Sequence, residues 1–226
     1  MRFHVFYTDN YEEEVLKDHK SCSKKQSIET VYHPNSLRNF DDIYKGHGDF
    51  MTSMMDEETE DVVGFLDLDC LVHNGKLLAN LYDWANENNS FIGNAQCVSH
   101  GIANHHYPAP STLLVSKKAW MKLGKPSFTW FYDENGVQFD TAQRLALEAD
   151  KIKMSYGLLY PLGYDGPTAW HMQGFGNFGT GTLYPASWHH FQISQYNNNA
   201  STDLWSRRVH AILNDEEIIP NHLPGE

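Results

Sequence analysis

The sequence predicts a single α/β domain in which helices flank a mixed, mostly parallel sheet. Three observations carry this expectation. Short β-rich or apolar runs alternate along the chain with stretches of helical periodicity, the pattern of strands joined by crossover helices. A length of 226 residues suits one sizeable core and is short for two. A composition of 41% hydrophobic and 13% aromatic residues is that of a globular chain rather than a disordered one.

The elements follow in order. "RFHVFYT" alternates and predicts the first strand, and Tyr11, Val15, Leu16 and His19 then recur at helical spacing. "SIETVYHP" reads as a second strand ended by Pro34, and Phe50, Met51, Met54 and Met55 mark one face of a helix over 49–58. The apolar run 61–67 is a strand buried on both faces, "HNGK" a turn, and "KLLANLYDWANEN" an amphipathic helix. "SFIGNAQ" is a short strand, 98–110 a His- and Pro-rich loop, and "STLLV" a strand leading to Ser116 as N-cap of a helix stopped by Gly124 and Pro126. Asp140 caps "TAQRLALEA", with Gln143 completing a capping box. "KMSYGLLYP" predicts another strand, the glycine-rich stretch 163–187 a long loop, and Trp205, Val209, Ile212 and Leu213 a closing helix.

Composition also excludes. No run approaches the roughly 18 apolar residues of a membrane span. The N-terminus reaches charge too soon for a secretory segment, so a cytoplasmic protein is expected. Cys22, Cys70 and Cys97 lack the spacing of a zinc site or disulfide framework and are expected to be reduced thiols. A net charge of −12 disfavours a polyanionic partner such as duplex DNA, yet an anion bridged by a divalent cation is compatible with paired carboxylates.

Such a pair ends the run "GFLDLDCLV". Asp67 and Asp69 follow a strand expected to be buried, and open α/β sheets bind ligands beyond the carboxyl ends of their strands. Two hard oxygen ligands there suit Mg²⁺ or Mn²⁺ shared with substrate phosphates; a hydrated surface turn is the plain alternative. The second candidate element is "GFGNFGTGTLYPASWHHFQIS". Its glycine-rich backbone can approach a phosphate, Thr180 and Thr182 offer hydroxyls, and His189 or His190 can supply an imidazole to the cation. Neighbours on a strand point to opposite faces, so only one of the two histidines is expected to face the site. His100, His105 and His106 form a further cluster whose spacing matches no zinc site.

Taken together, "GFLDLDCLV", "FIGNAQ…YPAPSTLLVSKKAW", "DTAQRLA" and "GTGTLYPASWHHF" resemble the small GT-A-fold (Rossmann-like) nucleotide-sugar glycosyltransferases, in particular the short glycosyltransferase-like proteins of phages and bacteria. The resemblance runs from "FYTDNY" to about residue 194. It implies a donor half over 1–69, a sugar and acceptor half over 70–194 and a helical tail over 195–226. It further implies that Tyr7, Thr8 and Tyr11 cradle the nucleobase and ribose, although Tyr7 and Tyr11 fit core positions equally well. Asp67 would reach ribose or metal-bound water, Asp69 would hold the cation, and His189 would be its third ligand. Asn94, Gln96 and Ser111 would face the sugar or acceptor, Thr182 the phosphates, and Asp140 the donor sugar or the attacking hydroxyl. Trp170 and Trp188 are candidates for stacking on a sugar, or simply for the core.

The implied reaction is metal-dependent transfer of a sugar from a nucleoside diphosphate sugar, UDP-sugar first, to a hydroxyl acceptor. That acceptor would be a saccharide, or a hydroxymethylated base in phage DNA. The chain lacks the His-Gly-x-Lys-Pro motif of many retaining members, which leaves retaining and inverting chemistry both open. Two rivals stay in play: a haloacid-dehalogenase-like phosphohydrolase with Asp67 as nucleophile, and a non-catalytic nucleotide-sugar-binding module. The phosphohydrolase pattern is poorly met, because Cys70-Leu71 replaces its Gly-Thr and the motif lies far from the N-terminus.

Overall fold

The computed structural model describes residues 1–8, 13–35, 40–97, 105–172, 176–190 and 199–224. In chain order the first half comprises β1 (Arg2–Thr8), α1 (Glu13–Lys25), β2 (Glu29–Asn35), α2 (Phe40–Glu57), β3 (Val62–Leu66), β4 (Cys70–Val72), α3 (Gly75–Glu87) and β5 (Phe91–Cys97). The second comprises β6 (His106–Ser116), α4 (Lys117–Lys122), β7 (Phe131–Tyr132), β8 (Gln138–Phe139), α5 (Gln143–Lys151), β9 (Gly157–Leu159), β10 (Gly163–Met172), β11 (Gly176–Leu183), β12 (Ser187–His190) and α6 (Asn199–Leu213).

The main sheet has the order β2-β1-β3-β6-β5-β9. β1 pairs in parallel with β2 and β3, and β5 with β9, while β6 runs antiparallel to both β3 and β5. The sheet is thus mixed and largely parallel, as expected. Period-two alternation sends neighbours in one strand to opposite cores. Leu66, Ile92 and Leu114 join Phe3, Val5, Leu78, Trp188 and Trp205 on one face. Val63, Phe65, Phe91, Leu113 and Val115 join Met51, Met55, Trp120 and Leu145 on the other. Each such burial contributes about 1.5–3 kcal/mol before the entropy of ordering is subtracted.

A second sheet, β10-β11-β12-β4, corrects the loop expected over 163–187. Its antiparallel pairing was hidden because glycines occupy positions where strands usually carry large residues. Gly181 is one: a Cβ there would lie 2.5 Å from the Trp188 ring, so the small residue is what lets β11 and β12 close over the indole. The loop expected over 98–110 is corrected in part, because 106–110 belong to β6. Pro108 and Pro110 are tolerated there since β3 pairs only with 112–116, leaving one side of the strand open where the prolines lie. Likewise β2 continues through Pro34 to Asn35, as an edge strand can. Ser116 is the N-cap of α4 by position only, for its side chain makes no cap hydrogen bond.

Candidate metal and donor site

β3 ends at Leu66, and the next turn carries Asp67 and Asp69. The Asp67 N–H donates to the Ser111 carbonyl of β6, and the Cys70 N–H closes back on the Asp67 carbonyl at 3.0 Å. β4 then pairs with β12, setting Cys70 opposite His189, while the His190 N–H donates to the Asp69 carbonyl at 2.8 Å. The second sheet is therefore what carries His189 to the aspartate turn. Its Nε2 lies 3.3 Å from Asp69 Oδ1. One ligand atom from each of Asp67, Asp69 and His189 falls within a set spanning 4.8 Å. His190 faces the opposite way, buried against the rings of Trp188 and Trp205, so only one histidine of the pair looks to the site.

The electrostatics are those of a crowded anionic turn. Burial, then the neighbouring Asp69 charge and the Asp140 charge, push Asp67 up to about 7, with His189 pulling the other way. Burial opposes a charge on His189, yet Asp69 and Asp67 outweigh it and raise its pKa. Two further histidines line the turn. His47 of α2 stacks on Phe6 with ring centroids 5.4 Å apart and brings Nε2 to 3.7 Å from Asp67 Oδ1. His19 of α1 hydrogen-bonds the Tyr32 hydroxyl at 2.8 Å. Burial holds both imidazoles down at about 4 in spite of Asp69.

Asp140 does not make the expected capping box. Gln143 reaches back to the Asp140 N–H at 2.9 Å, which is half of the box. The carboxylate instead accepts from the Thr141 N–H at 2.7 Å through Oδ1. Its Oδ2 accepts from the Tyr107 hydroxyl at 2.7 Å and from Gln96 Nε2 at 3.3 Å. The helix α5 consequently starts at Gln143, after Ala142 in a left-handed conformation with φ 66°.

No family model matches the chain, and no curated protein sequence matches it either. Solved structures do. The galactosyltransferase LgtC, crystallised with donor and acceptor sugar analogues, is 14% identical, aligns over 98% of this chain and 98% of its own, and has a TM-score of 0.54. The fold is GT-A. Weaker likenesses include the catalytic domain of Drosophila β-1,4-galactosyltransferase 7, at 12% identity over 84% of this chain and 71% of that one, with a TM-score of 0.43. Another is a glycosyltransferase involved in glycosylation of the major capsid protein of PBCV-1, at 10% identity over 70% and 80%, with a TM-score of 0.41.

Within this GT-A frame the expected site residues separate into groups. Asp67, Asp69 and His189 come together, and Gln96 joins Asp140. Asn94 and Ser111 are interior: Asn94 Nδ2 donates to the hydroxyls of Ser111 and Ser187, and the Thr112 hydroxyl bonds Ser187 in turn. Thr182 is buried on β11, paired in register with His189. Tyr7 packs partly buried against the core, edge-on to Tyr32. Tyr11 and the Thr8 side chain lie outside the described residues, as do His100 and the Trp170 side chain. Trp188 is fully buried, its Nε1 bonded to Asp165, which excludes it from stacking on a ligand. His105 pairs with Asp150 and Gln143, and His106 with Tyr160; among the described residues neither falls in a metal-ligating cluster. Sequence reasoning missed His47 and Tyr107. His47 was detectable, because it precedes buried Met51 and Met55 by one and two helical turns and so shares their face.

Proposed function

We propose that this protein is a metal-dependent glycosyltransferase acting on a nucleoside diphosphate sugar. The observation that carries the reading is the cluster of Asp67, Asp69 and His189 beyond the carboxyl end of β3 in a GT-A sheet. The donor set suits Mn²⁺ or Mg²⁺: two carboxylates and an imidazole converge, and the rise of the Asp67 pKa marks negative charge that a cation would neutralise. A bound cation supplies Lewis-acid stabilisation of the departing diphosphate.

The remaining roles belong to the chain itself. Residues 1–69 form the donor half, with Tyr7, Thr8 and Tyr11 around the nucleobase and ribose, and UDP the first candidate nucleotide. Thr182 and the β11 backbone serve the phosphates. Residues 70–194 form the sugar and acceptor half, followed by the helical tail. Asn94 and Ser111 brace this half through their buried network rather than by direct contact. Gln96 and Asp140 face the sugar and the attacking hydroxyl. Three hydrogen bonds already occupy most of the roughly four acceptor sites of the Asp140 carboxylate. That arrangement suits fixed negative charge beside an oxocarbenium-like transition state better than the proton acceptance an inverting base requires.

Calorimetric titration with UDP and with GDP, each with and without Mn²⁺, tests the reading. Binding of one nucleotide that requires the metal and disappears in Asp69→Ala is the expected result. Turnover of a simple phosphomonoester with no nucleotide binding would instead identify Asp67 as a phosphohydrolase nucleophile. Nucleotide binding that survives Asp69→Ala would indicate a binding module.

A further inference from the structure

His47 brings a fourth donor to the metal turn from an element that the three-ligand cluster does not use. Asp67 and Asp69 belong to the turn between β3 and β4, and His189 to β12, whereas His47 is carried by α2. The main chain of α2 is held from two sides here. A Cβ on Gly48 would run into the backbone of Thr129, so helix and segment touch main chain to main chain. Phe50 stacks on Phe6 at 4.9 Å and meets the His33 ring at 4.7 Å. Phe6 in turn stacks on His47 at 5.4 Å, with the ring planes 12° apart. Packing thus presents the imidazole to the turn, where Asp67 is the carboxylate it meets.

The turn therefore holds two carboxylate–imidazole pairs. His189 Nε2 lies 3.3 Å from Asp69 Oδ1, and His47 Nε2 lies 3.7 Å from Asp67 Oδ1. The Asp69 charge is felt at His47 as well, so that ring stands near both acids. Ligand atoms around a four-coordinate ion with bonds of ~2.0–2.1 Å stand roughly 3.3–3.4 Å apart. Both pairs come close to that edge length. His47 lies outside the 4.8 Å span shared by the other three, and its two side-chain torsions have to bring it in. The four side chains keep between 10% and 25% of their surface exposed, which leaves the turn open to an ion from solvent.

We infer that Asp67, Asp69, His189 and His47 form a closed four-ligand Zn²⁺ site, and that zinc held there shuts out the nucleotide sugar. The exclusion rests on the transferase reading above; the zinc site does not. Two carboxylates balance the charge of the dication, and two imidazoles complete the tetrahedron. Imidazole suits Zn²⁺ better than Mg²⁺, and Zn²⁺ binds a given site more tightly than Mn²⁺. Four protein ligands characterise a closed zinc site, whereas an ion that works on a diphosphate needs positions open to phosphate oxygens. One turn thus supports two states. In the first, three ligands share a cation with the donor; in the second, His47 takes the place of a phosphate oxygen.

The test uses the full chain, stripped with chelator and titrated with Co²⁺ and then Zn²⁺ in the absence of nucleotide. One equivalent of Co²⁺ is expected to give the intense visible absorption of a four-coordinate ion, and one equivalent of Zn²⁺ to displace it. In His47→Ala the absorption falls to the weak bands of a six-coordinate ion, and Zn²⁺ binds about a hundredfold more weakly or worse, as for loss of a direct ligand. His47→Phe, which keeps a ring on Phe6, behaves like His47→Ala and separates ligand loss from lost packing. Calorimetry then follows UDP with Mn²⁺: one equivalent of Zn²⁺ abolishes its binding in the wild type but in neither variant. A six-coordinate spectrum in the wild type, or equal spectra in all three proteins, would overturn the inference. So would a near-ultraviolet thiolate-to-cobalt band, which would place the ion on a cysteine, or UDP binding undisturbed by Zn²⁺. A four-coordinate spectrum that depends on His47, with no UDP binding under any metal, would uphold the zinc site and overturn the transferase reading together with the exclusion.

Discussion

Glu58, at the amino-terminal edge of the main sheet, and Asp67, at its carboxyl-terminal edge, are both largely withdrawn from water, yet their surroundings are opposite. Glu58 is met by His4 at 3.0 Å, by the Arg2 guanidinium at 3.4 Å and by the Thr59 N–H at 2.8 Å. Burial alone would raise its pKa, but these partners overcome that and hold it down at about 2. For Asp67 burial comes first and the charges of Asp69 and Asp140 add to it, so that its pKa is pushed up to about 7 against the pull of His189. Asp165 repeats the first pattern: fully buried, it accepts from Arg208, Trp188 and the Asn221 N–H. Where this chain buries a carboxylate for structure, it supplies the donors. At the carboxyl end of β3 it gathers two acids with the imidazoles of His47 and His189, the donor set that the proposed cation would complete.

The comparison breaks most visibly if Asp69 is replaced. Asp69→Ala is expected to lower the affinity for Mn²⁺ in the presence of nucleotide by about a hundredfold or more, since loss of a direct ligand exceeds the roughly 10–100-fold of an outer-shell change. The melting temperature of the metal-free protein should hardly move. At the other end, Glu58→Ala leaves His4 and Arg2 facing one another without their common partner. It is expected to destabilise by about 2–4 kcal/mol, read as a fall of several degrees in thermal unfolding, while metal-dependent nucleotide binding persists.

The acid limb sharpens the contrast. The folded pKa of Glu58 lies below its ordinary value of 4.5, so its contribution is present above that value and is lost as pH falls through about 2. Glu58→Gln is expected to flatten the stability curve between about pH 4.5 and 2, as measured by urea unfolding. The smallest effect is of reversed sign. Asp67→Asn removes one of two repelling carboxylates and is expected to stabilise the metal-free protein by about 1 kcal/mol, or a rise of about 2–4 °C, at the expense of metal binding.

Much of this was legible in the sequence, for reasons that differ by region. The run Val62–Leu66 reads as a strand because all five residues are buried, and the acids that follow it mark the strand end. Strand alternation predicted that only one of His189 and His190 faces the site; the choice of His189 came from the family resemblance, and the pairing of β12 with β4 is what sets that residue beside Asp69. The second sheet was not legible, because glycine in β11 records close packing against Trp188 rather than a turn, and a lone sequence does not distinguish the two. Asp140 shows the same limit. Its spacing to Gln143 is that of a capping box, and only the position of Tyr107 and Gln96 across the sheet draws the carboxylate away from the helix. Local pattern decides where an element lies; partners distant in the chain decide which side chain is left over for chemistry.

The most direct test of the contrast is electron paramagnetic resonance of Mn²⁺ titrated into the protein, with and without UDP. The predicted result is loss of the free-ion signal up to one equivalent in the wild type and in Glu58→Gln, and no such loss in Asp69→Ala. Equal signals from the wild type and Asp69→Ala, with UDP or without it, would contradict the assignment of a cation to the carboxyl end of the sheet.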